Sequence, residues 1–312
     1  MARYTGPIRL VILDIAGTVC DGPQDLRHIY PNDDGLAVKG PVIVFESMFR
    51  QYGMEVDWAT IRRPMGKFKK EHLREILQIP EVGAQFEAVH KRPWADSDVD
   101  AMFDKFRPEM AKVAVTEDLI RPFEGVREAI DTFRAAGILV GCDTGYSKEA
   151  CSAIYATLER KHGIHFDVVA DSENVRGRPT PFLVYDCMYK ANVYPPAAVV
   201  KADDIRAGVQ EGANSGAWTV GLYATGMHDF ETLQLAGADY LVPGVRDLPG
   251  LVFQVIQPRL MRGGMPGELS TPTPPDQADR SIGINVAPGS APVRSRDVKA
   301  PAASGKAEVP GS

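Results

Sequence analysis

The stretch IRLVILD, residues 8–14, is an uninterrupted apolar run that ends in an aspartate. Such a run is typical of a strand that is buried on both faces in the centre of a parallel sheet. Similar runs recur farther along the chain, as GILVGCD (137–143), FDVVAD (166–171), AAVVKADD (197–204) and AWTVGL (217–222). Helical patterns separate most of these runs, so the sequence predicts an α/β core with a doubly wound, Rossmann-like parallel sheet.

The segment between the first two predicted strands has a different character. From about residue 35 to 115 the pattern is helical throughout, which predicts a helical cap inserted into a core made of residues 1–34 and 116–260. Beyond this core the composition shifts to Pro, Gly, Ser and Ala, and residues 263–312 contain no aromatic side chain. Such a segment buries too little apolar surface to offset its ordering entropy, so residues 261–312 are predicted to form a disordered tail.

Composition excludes several classes of partner. The net charge of −6 argues against nucleic acid, because phosphate binding requires a basic face. No apolar run reaches the length of a membrane span, and the N-terminus lacks the layout of a signal peptide.

The four cysteines are Cys20, Cys142, Cys151 and Cys187, and they lack metal-finger or CxxC spacing. They are predicted to be free thiols in a reducing compartment, which favours a cytoplasmic location.

Polar side chains stand at the ends of the predicted strands, where open α/β sheets bind ligands. Asp14 precedes a Gly-Thr turn and is suited to act as a nucleophile on phosphorus. Thr144 and Arg178 are suited to bind phosphoryl oxygens. Asp203 and Asp204 offer hard oxygen ligands for Mg²⁺. Each signal also has a plainer interpretation: a helix cap for Asp14 or Thr144, a surface ion pair for Arg178, and a turn for the aspartate pair.

In this order the four signals resemble the motifs of the haloacid dehalogenase superfamily. The resemblance implies that Asp14 is the nucleophile and that Thr144 and Arg178 bind the phosphoryl group. It further implies that Asp204 binds Mg²⁺ together with Asp14. The predicted metal-site residues are Asp14, Ala16, Asp203 and Asp204.

Ala16 departs from the pattern of the superfamily's phosphatases, which carry a second aspartate at this position to protonate the leaving oxygen. Without a general acid, expulsion of an alkoxide slows on the order of 10²–10⁴-fold. The sequence therefore indicates either a damaged phosphatase or a leaving group that needs no proton from this position.

The stretch PMGKFKKEHLREIL, residues 64–77, reads as an amphipathic helix with one lysine on its apolar side. At 100° per residue Lys69 is centred on the apolar stripe, whereas Lys67 and Lys70 lie about 160° and 100° away. Either Lys69 snorkels from the edge of the core, or burial lowers its pKa and frees its amine to form a Schiff base. His72, one helical turn on, is suited to shuttle protons.

Cleavage of a C–P bond would account both for the lysine on the apolar side of the helix and for the missing general acid at Ala16. The departing electron pair then needs an acceptor, and not a proton. A protonated imine β to phosphorus supplies that acceptor as it becomes an enamine.

The stretches DIAGT, DTGY, GRPTPF and VKADD…EGANSGAWTVG, with the M-G-x-x-K-x-x-H pattern of residues 65–72, resemble the phosphonoacetaldehyde hydrolase (phosphonatase) family. The resemblance implies that Lys69 forms the Schiff base and that Met65 and His72 line the reaction centre. It also implies a homodimer that forms through the caps. The predicted substrate- and phosphate-binding residues are Met65, Thr144, Gly145, Tyr146 and Arg178.

The predicted function is Mg²⁺-dependent hydrolysis of a small phosphonate, phosphonoacetaldehyde, to acetaldehyde and phosphate. Two departures from the family stand out: a longer loop between Asp21 and Pro41, and Gly208 at the second acidic position of the metal loop. The alternatives are a phosphatase acting on a small ester, a hydrolase of a related β-carbonyl phosphonate, and a catalytically silent fold that binds a partner through its long loop and tail.

Overall fold

The computed structural model describes residues 3–22, 25–116, 119–172 and 175–268, together with the backbone of 293–294. Six parallel strands run side by side in the order β3-β2-β1-β4-β5-β6, and the short β7 pairs antiparallel with β6. The strands are β1 Leu10–Leu13, β2 Leu139–Thr144, β3 Val168–Asp171, β4 Val199–Asp203, β5 Trp218–Leu222, β6 Tyr240–Val242 and β7 Val293–Arg294. The prediction of a doubly wound α/β sheet is confirmed.

The register of the central strands brings their carboxyl ends together. β1 lies between β2 and β4, and the three strands are aligned so that Asp14, Asp143 and Asp203 each come one step after the same paired row. The side chains of β1 are fully buried, as expected for a strand that is covered by helices on both faces.

The segment between β1 and β2 is helical and contains no strand from residue 39 to 113. Its helices are α1 Lys39–Gln51, α2 Trp58–Arg62, α3 Lys69–Leu77, α4 Pro80–His90 and α5 Asp96–Val113. These helices fall inside the predicted cap, although its boundaries at 35 and 115 stay a prediction. The helices that flank the sheet are α6 Val126–Ala135, α7 Lys148–His162, α8 Phe182–Ala191, α9 Arg206–Ser215, α10 Phe230–Leu235, α11 Leu248–Leu251 and α12 Gln257–Met261.

The long loop that leads into the cap is held by ion pairs. Asp33 pairs with the buried Lys39 at 3.0 Å. Asp34 binds Arg62 of α2 through two hydrogen bonds of 2.6 and 2.9 Å. The carboxylate of Asp21 accepts hydrogen bonds from the first two amides of α1, both at 3.0 Å, and so caps that helix from a distance. The described part of this loop is therefore a folded element.

The predicted tail divides after residue 268. Glu268 pairs with Arg3 at 3.0 Å and with Arg259 at 3.3 Å, and the amide of Gly267 donates to Asp239 at 2.9 Å. The first residues of the predicted tail are therefore packed against the core. The remainder, apart from the backbone of 293–294, lies outside the described residues.

Two further predictions bear on the molecule's surroundings. All four cysteines are free and buried, as predicted. Among the described helices none combines the length and the apolar character that a membrane crossing requires.

Candidate active site

Three buried carboxylates meet where the central strands end. The oxygens of Asp14, Asp143 and Asp203 lie within 4.8 Å of one another. Arg178 sits among them, because its Nη2 donates to Asp14 at 2.8 Å and to Asp143, and lies 3.3 Å from Asp203. Lys201 is buried beside the same group. The structure thus brings the predicted Asp14, Arg178 and Asp203 into one cluster.

The cluster also contains charged residues to which sequence reasoning assigned no role. Lys201 lies 2.5 Å from Asp143 and 2.9 Å from Asp203, and Glu211 of α9 accepts from Nε of Arg178 at 3.0 Å. A lysine inside the apolar run AAVVKADD was the available signal, since a fully buried lysine requires acidic partners. The sequence could not indicate which acids those are.

Asp204 occupies a separate position beside the turn that follows Asp14. Its carboxylate accepts from the Thr18 hydroxyl at 2.9 Å and from the Met227 amide at 3.2 Å. Glycines make this approach possible: a Cβ at Gly17 would lie 2.2 Å from an Asp204 oxygen, and Gly17 also has a left-handed φ of +85°. A Cβ at Gly226 would lie 2.0 Å from the Asp204 side chain.

Burial governs the charge state of these acids. It raises the pKa of Asp14 to about 6, although the neighbouring Arg178 opposes the shift. Burial, with repulsion from Asp203 and Asp14, raises the pKa of Asp204 well above its ordinary value. Burial also acts to raise the pKa of Asp203, but Arg178 and Lys201 outweigh it, so that this pKa is lowered. The raised pKa values of Asp14 and Asp204, two acids that repel each other, are consistent with a site for a cation.

The donor set fits a hard divalent cation such as Mg²⁺, which takes carboxylate oxygens. The cluster of Asp14, Asp143 and Asp203 differs from the predicted set of Asp14, Ala16, Asp203 and Asp204. Asp143 and Asp203 are already paired with Lys201 and Arg178, whereas the hydrogen bonds to Asp204 come from uncharged donors. Ala16 is buried in the turn between Asp14 and Thr18.

Lys69 lies on the buried side of the cap, as its position on the apolar stripe predicted. Its side chain is 4 % exposed, and Nζ lies 3.7 Å from Sδ of Met65 and 5.6 Å from the centre of the Tyr146 ring. Burial lowers the pKa of Lys69 from 10.5 to about 8; Asp14 opposes this shift and Arg178 adds to it. Lys67 and Lys70 instead pair with acids near the surface, at 2.5 Å in each case.

The predicted start of the helix over residues 64–77 is wrong, because α3 begins at Lys69. Gly66 has a φ of +90°, which is left-handed and interrupts the helix. The turn that results presses onto the core: a Cβ at Gly66 would lie 2.3 Å from the Ile205 side chain. Gly145 faces the same turn, and a Cβ there would lie 3.4 Å from the carbonyl oxygens of Gly66 and Lys67. Both glycines permit close contact between cap and core.

His72 is fully buried one turn after Lys69. Its Nε2 lies 2.7 Å from the carbonyl oxygen of Ile61, and because a carbonyl can only accept, Nε2 carries the proton. Nδ1 has no hydrogen-bond partner among the described residues. Burial and the neighbouring Lys69 hold the pKa of His72 well below its ordinary value. The ring is therefore a neutral imidazole with a free lone pair on Nδ1.

The remaining predicted residues lie near the end of β2 and beside a cavity between the predicted cap and the core. Thr144 ends β2 and is buried, and its Oγ1 accepts from the amide of Tyr146 at 3.4 Å. A cavity of about 730 Å³ lies between cap residues, including Phe68, and the core loop that includes Gly177, and Arg178 is among its lining residues. The cavity thus lies next to the predicted phosphoryl binder, whose side chain is itself buried.

Comparison with known proteins places this architecture in a family. The model for haloacid dehalogenase-like hydrolases matches residues 8–216. A phosphonoacetaldehyde hydrolase from Nitratidesulfovibrio vulgaris is 31% identical over 286 residues, which cover 84% of this chain and 96% of that protein. A phosphonoacetaldehyde hydrolase from Vibrio cholerae is 30% identical over 286 residues, covering 83% and 98% respectively.

A solved structure agrees with these relatives. The crystal structure of a phosphonoacetaldehyde hydrolase-like protein from Oleispira antarctica has a TM-score of 0.76 and 26% identity, and covers 85% of this chain and 98% of that one. The chain therefore belongs to the haloacid dehalogenase-like hydrolases and, within them, to the phosphonoacetaldehyde hydrolase family.

Proposed function

We propose that this protein hydrolyses the C–P bond of phosphonoacetaldehyde, giving acetaldehyde and phosphate. The observation that carries the proposal is the position of Lys69, a buried lysine whose Nζ lies 3.7 Å from Sδ of Met65 and 5.6 Å from the centre of the Tyr146 ring, and whose pKa of about 8 is influenced by the charge of Asp14. A phosphatase has no use for such an amine. The names of the relatives support the same substrate.

The first half of the reaction belongs to the cap. The neutral amine of Lys69 attacks the aldehyde carbon, and loss of water gives an imine. The free Nδ1 of His72 is suited to take a proton from the amine and return it to the departing hydroxyl. Met65 and Tyr146 surround Nζ with weakly polar groups and exclude water from the imine.

The second half belongs to the core. A carboxylate oxygen of Asp14 forms a bond to phosphorus as the C–P bond breaks, and the C–P electron pair moves into the imine to give an enamine. Arg178, Thr144 and the amides of Gly145 and Tyr146 would bind the phosphoryl oxygens. Water then hydrolyses the aspartyl-phosphate, and protonation and hydrolysis of the enamine release acetaldehyde from Lys69.

Asp14 and Asp204 are the residues that best suit Mg²⁺, with Asp203 and the main chain at Ala16 as further candidates. The cation would supply positive charge next to the phosphoryl group. Asp14 and Asp204 both have raised pKa values, so a bound cation would also favour their ionised forms.

Ala16 separates this proposal from the phosphatase alternative. Its methyl group offers no proton to a leaving oxygen, whereas an enamine needs none. The test is release of phosphate from phosphonoacetaldehyde, from related β-carbonyl phosphonates and from p-nitrophenyl phosphate. Cleavage of the phosphonate with little activity on the ester supports the proposal, and the opposite ranking overturns it.

The variant Asp14→Asn provides the matched control. The amide is nearly isosteric but is not an anionic nucleophile, so we expect turnover to fall by at least about 10³-fold with an unchanged fold by circular dichroism. Turnover near the wild-type level would mean that the nucleophile lies elsewhere.

Assembly and location are further parts of the proposal. A homodimer through the caps is supported by an apolar groove between α1 and α5, lined by residues that include Ile43, Met48 and Phe106. Sedimentation velocity tests the dimer. The absence of disulfides among the described cysteines supports a cytoplasmic location.

A further inference from the structure

Glu211 lies behind the proposed phosphoryl-binding site, in the middle of α9. Its side chain is fully buried. One oxygen, Oε2, accepts from Nε of Arg178 at 3.0 Å, whereas Oε1 has no hydrogen-bond partner within the part of the chain that the structure describes. A buried carboxylate is costly unless it is paired, and an apolar residue would fill the same volume without that cost. The pairing with Arg178 is therefore the feature that accounts for a glutamate here.

Contacts at two edges fix the plane of the Arg178 guanidinium. Glu211 accepts from Nε at one edge, and at the other Nη2 donates to Asp14 at 2.8 Å and to Asp143. A planar guanidinium that is held at two of its edges has a defined orientation, which phosphate recognition requires. If the contact between Nε and Glu211 is lost, the guanidinium of Arg178 can rotate about its remaining contacts at Nη2.

Lys201 provides a second cation for two of the acids that surround Arg178, but it lies farther from Glu211. It lies 2.5 Å from Asp143 and 2.9 Å from Asp203, but 4.0 Å from Glu211. Asp143 and Asp203 thus have a second cation close by, whereas Arg178 supplies the only hydrogen bond to Glu211 found among the described residues. The geometry distinguishes Glu211 from the other buried acids.

We propose that Glu211 is a positioning residue that orients Arg178 for the phosphoryl group. The inference rests on the proposed function to the extent that Arg178 binds phosphate there. It goes beyond that function because Glu211, although it belongs to the stretch EGANSGAWTVG that resembles the family, has been assigned no role and no contact with the substrate.

The test measures binding of inorganic phosphate in the presence of Mg²⁺ by titration calorimetry. Glu211→Gln keeps the shape and weakens the contact, and Glu211→Asp keeps the charge but is one methylene too short to reach Nε. We expect phosphate affinity to fall about tenfold in both variants. Glu159→Gln, an exposed glutamate on α7, should bind like the wild type.

A double-mutant cycle separates positioning from general damage. If Glu211 acts through Arg178, then Glu211→Gln should weaken phosphate binding little further in an Arg178→Lys background. The thermal midpoint of Glu211→Asp should fall, because the shorter carboxylate stays buried without its pairing to Nε. The rate of borohydride trapping with acetaldehyde, which carries no phosphoryl group, should stay near wild type in both Glu211 variants when it is measured well below their thermal midpoints.

Three results would overturn the inference. These are phosphate affinity within twofold of wild type in both Glu211 variants, full additivity with Arg178→Lys, and loss of trapping in parallel with loss of phosphate binding. A wild-type protein that binds phosphate through Glu211 and Arg178 but cleaves no phosphonate would refute only the proposed function.

Discussion

Replacing single lysines around the start of α3 most directly tests the proposal that an imine on Lys69 accepts the electron pair of the C–P bond. Burial lowers the pKa of Lys69 from 10.5 to about 8, a difference of about 2.5 units. At pH 7 about 9% of its amine is therefore neutral, compared with about 0.03% for an ordinary lysine, a ratio of about 300. Only the neutral amine attacks an aldehyde, so Lys69 should form an imine about 300-fold faster than an exposed lysine of equal intrinsic reactivity.

Borohydride trapping with phosphonoacetaldehyde, read by peptide mass spectrometry, measures that preference. The two-carbon fragment should map to Lys69, and the trapping rate should rise about tenfold per pH unit up to about pH 8 and then level. Lys69→Arg should abolish both trapping and C–P cleavage, because guanidinium keeps the charge but forms no imine.

Lys67→Arg and Lys70→Arg are the matched controls, since both side chains pair with acids near the surface. Both variants should retain trapping and cleavage. A fragment on Lys67 or Lys70, robust cleavage by Lys69→Arg, or a trapping rate that keeps rising to pH 10 would refute the argument and favour the phosphatase alternative.

Two predictions concern stability. The pKa of Lys69 is lower in the folded chain than in the unfolded chain, so its burial opposes folding fully below about pH 8, and this cost fades as the pH rises toward 10.5. Lys69→Met should therefore raise the free energy of unfolding at pH 7 by up to about 3 kcal/mol, with a much smaller gain at pH 10, as urea unfolding at the two pH values would measure; an equal gain at both would refute the shifted pKa. A chain that ends at Glu268 should match the full chain in urea unfolding and turnover, whereas one that ends at Gly263 loses the contacts of Glu268 and Gly267 and should be less stable by about 1–3 kcal/mol. Equal stability of the two truncated chains would contradict the packing seen for these residues.

The sequence predicted what is encoded locally. The apolar run before Asp14 indicates a central strand because both faces of that strand are covered. The burial of Lys69 followed from its spacing relative to apolar neighbours, even though α3 starts five residues later than predicted. That spacing survives because Lys69 and the apolar residues after it all lie within α3.

The parts that escaped prediction depend on contacts between distant segments. Asp143, Lys201 and Glu211 come from β2, β4 and α9. Their ion pairs form only when the fold brings these three elements together. The left-handed turn at Gly66 likewise follows from the contact between cap and core, which no single stretch of sequence contains. The ion pairs that fold the loop before α1 belong to the same class.

The proposed mechanism combines two reactions with opposite needs, which would account for a site that draws Lys69 from α3 and its charged residues from the ends of the sheet strands. Imine formation needs a neutral amine in apolar surroundings, and phosphoryl transfer needs a dense set of charges. Asp14 acts to raise the pKa of Lys69 and Arg178 acts to lower it, so their influences oppose each other and burial decides the result. That burial depends on the cap, because Nζ is covered by Met65 of the cap and by Tyr146 of the core. Hydration of Nζ would return the pKa of Lys69 toward 10.5, so the proposed mechanism requires the packing of α3 against the core that keeps Nζ buried beside Met65 and Tyr146.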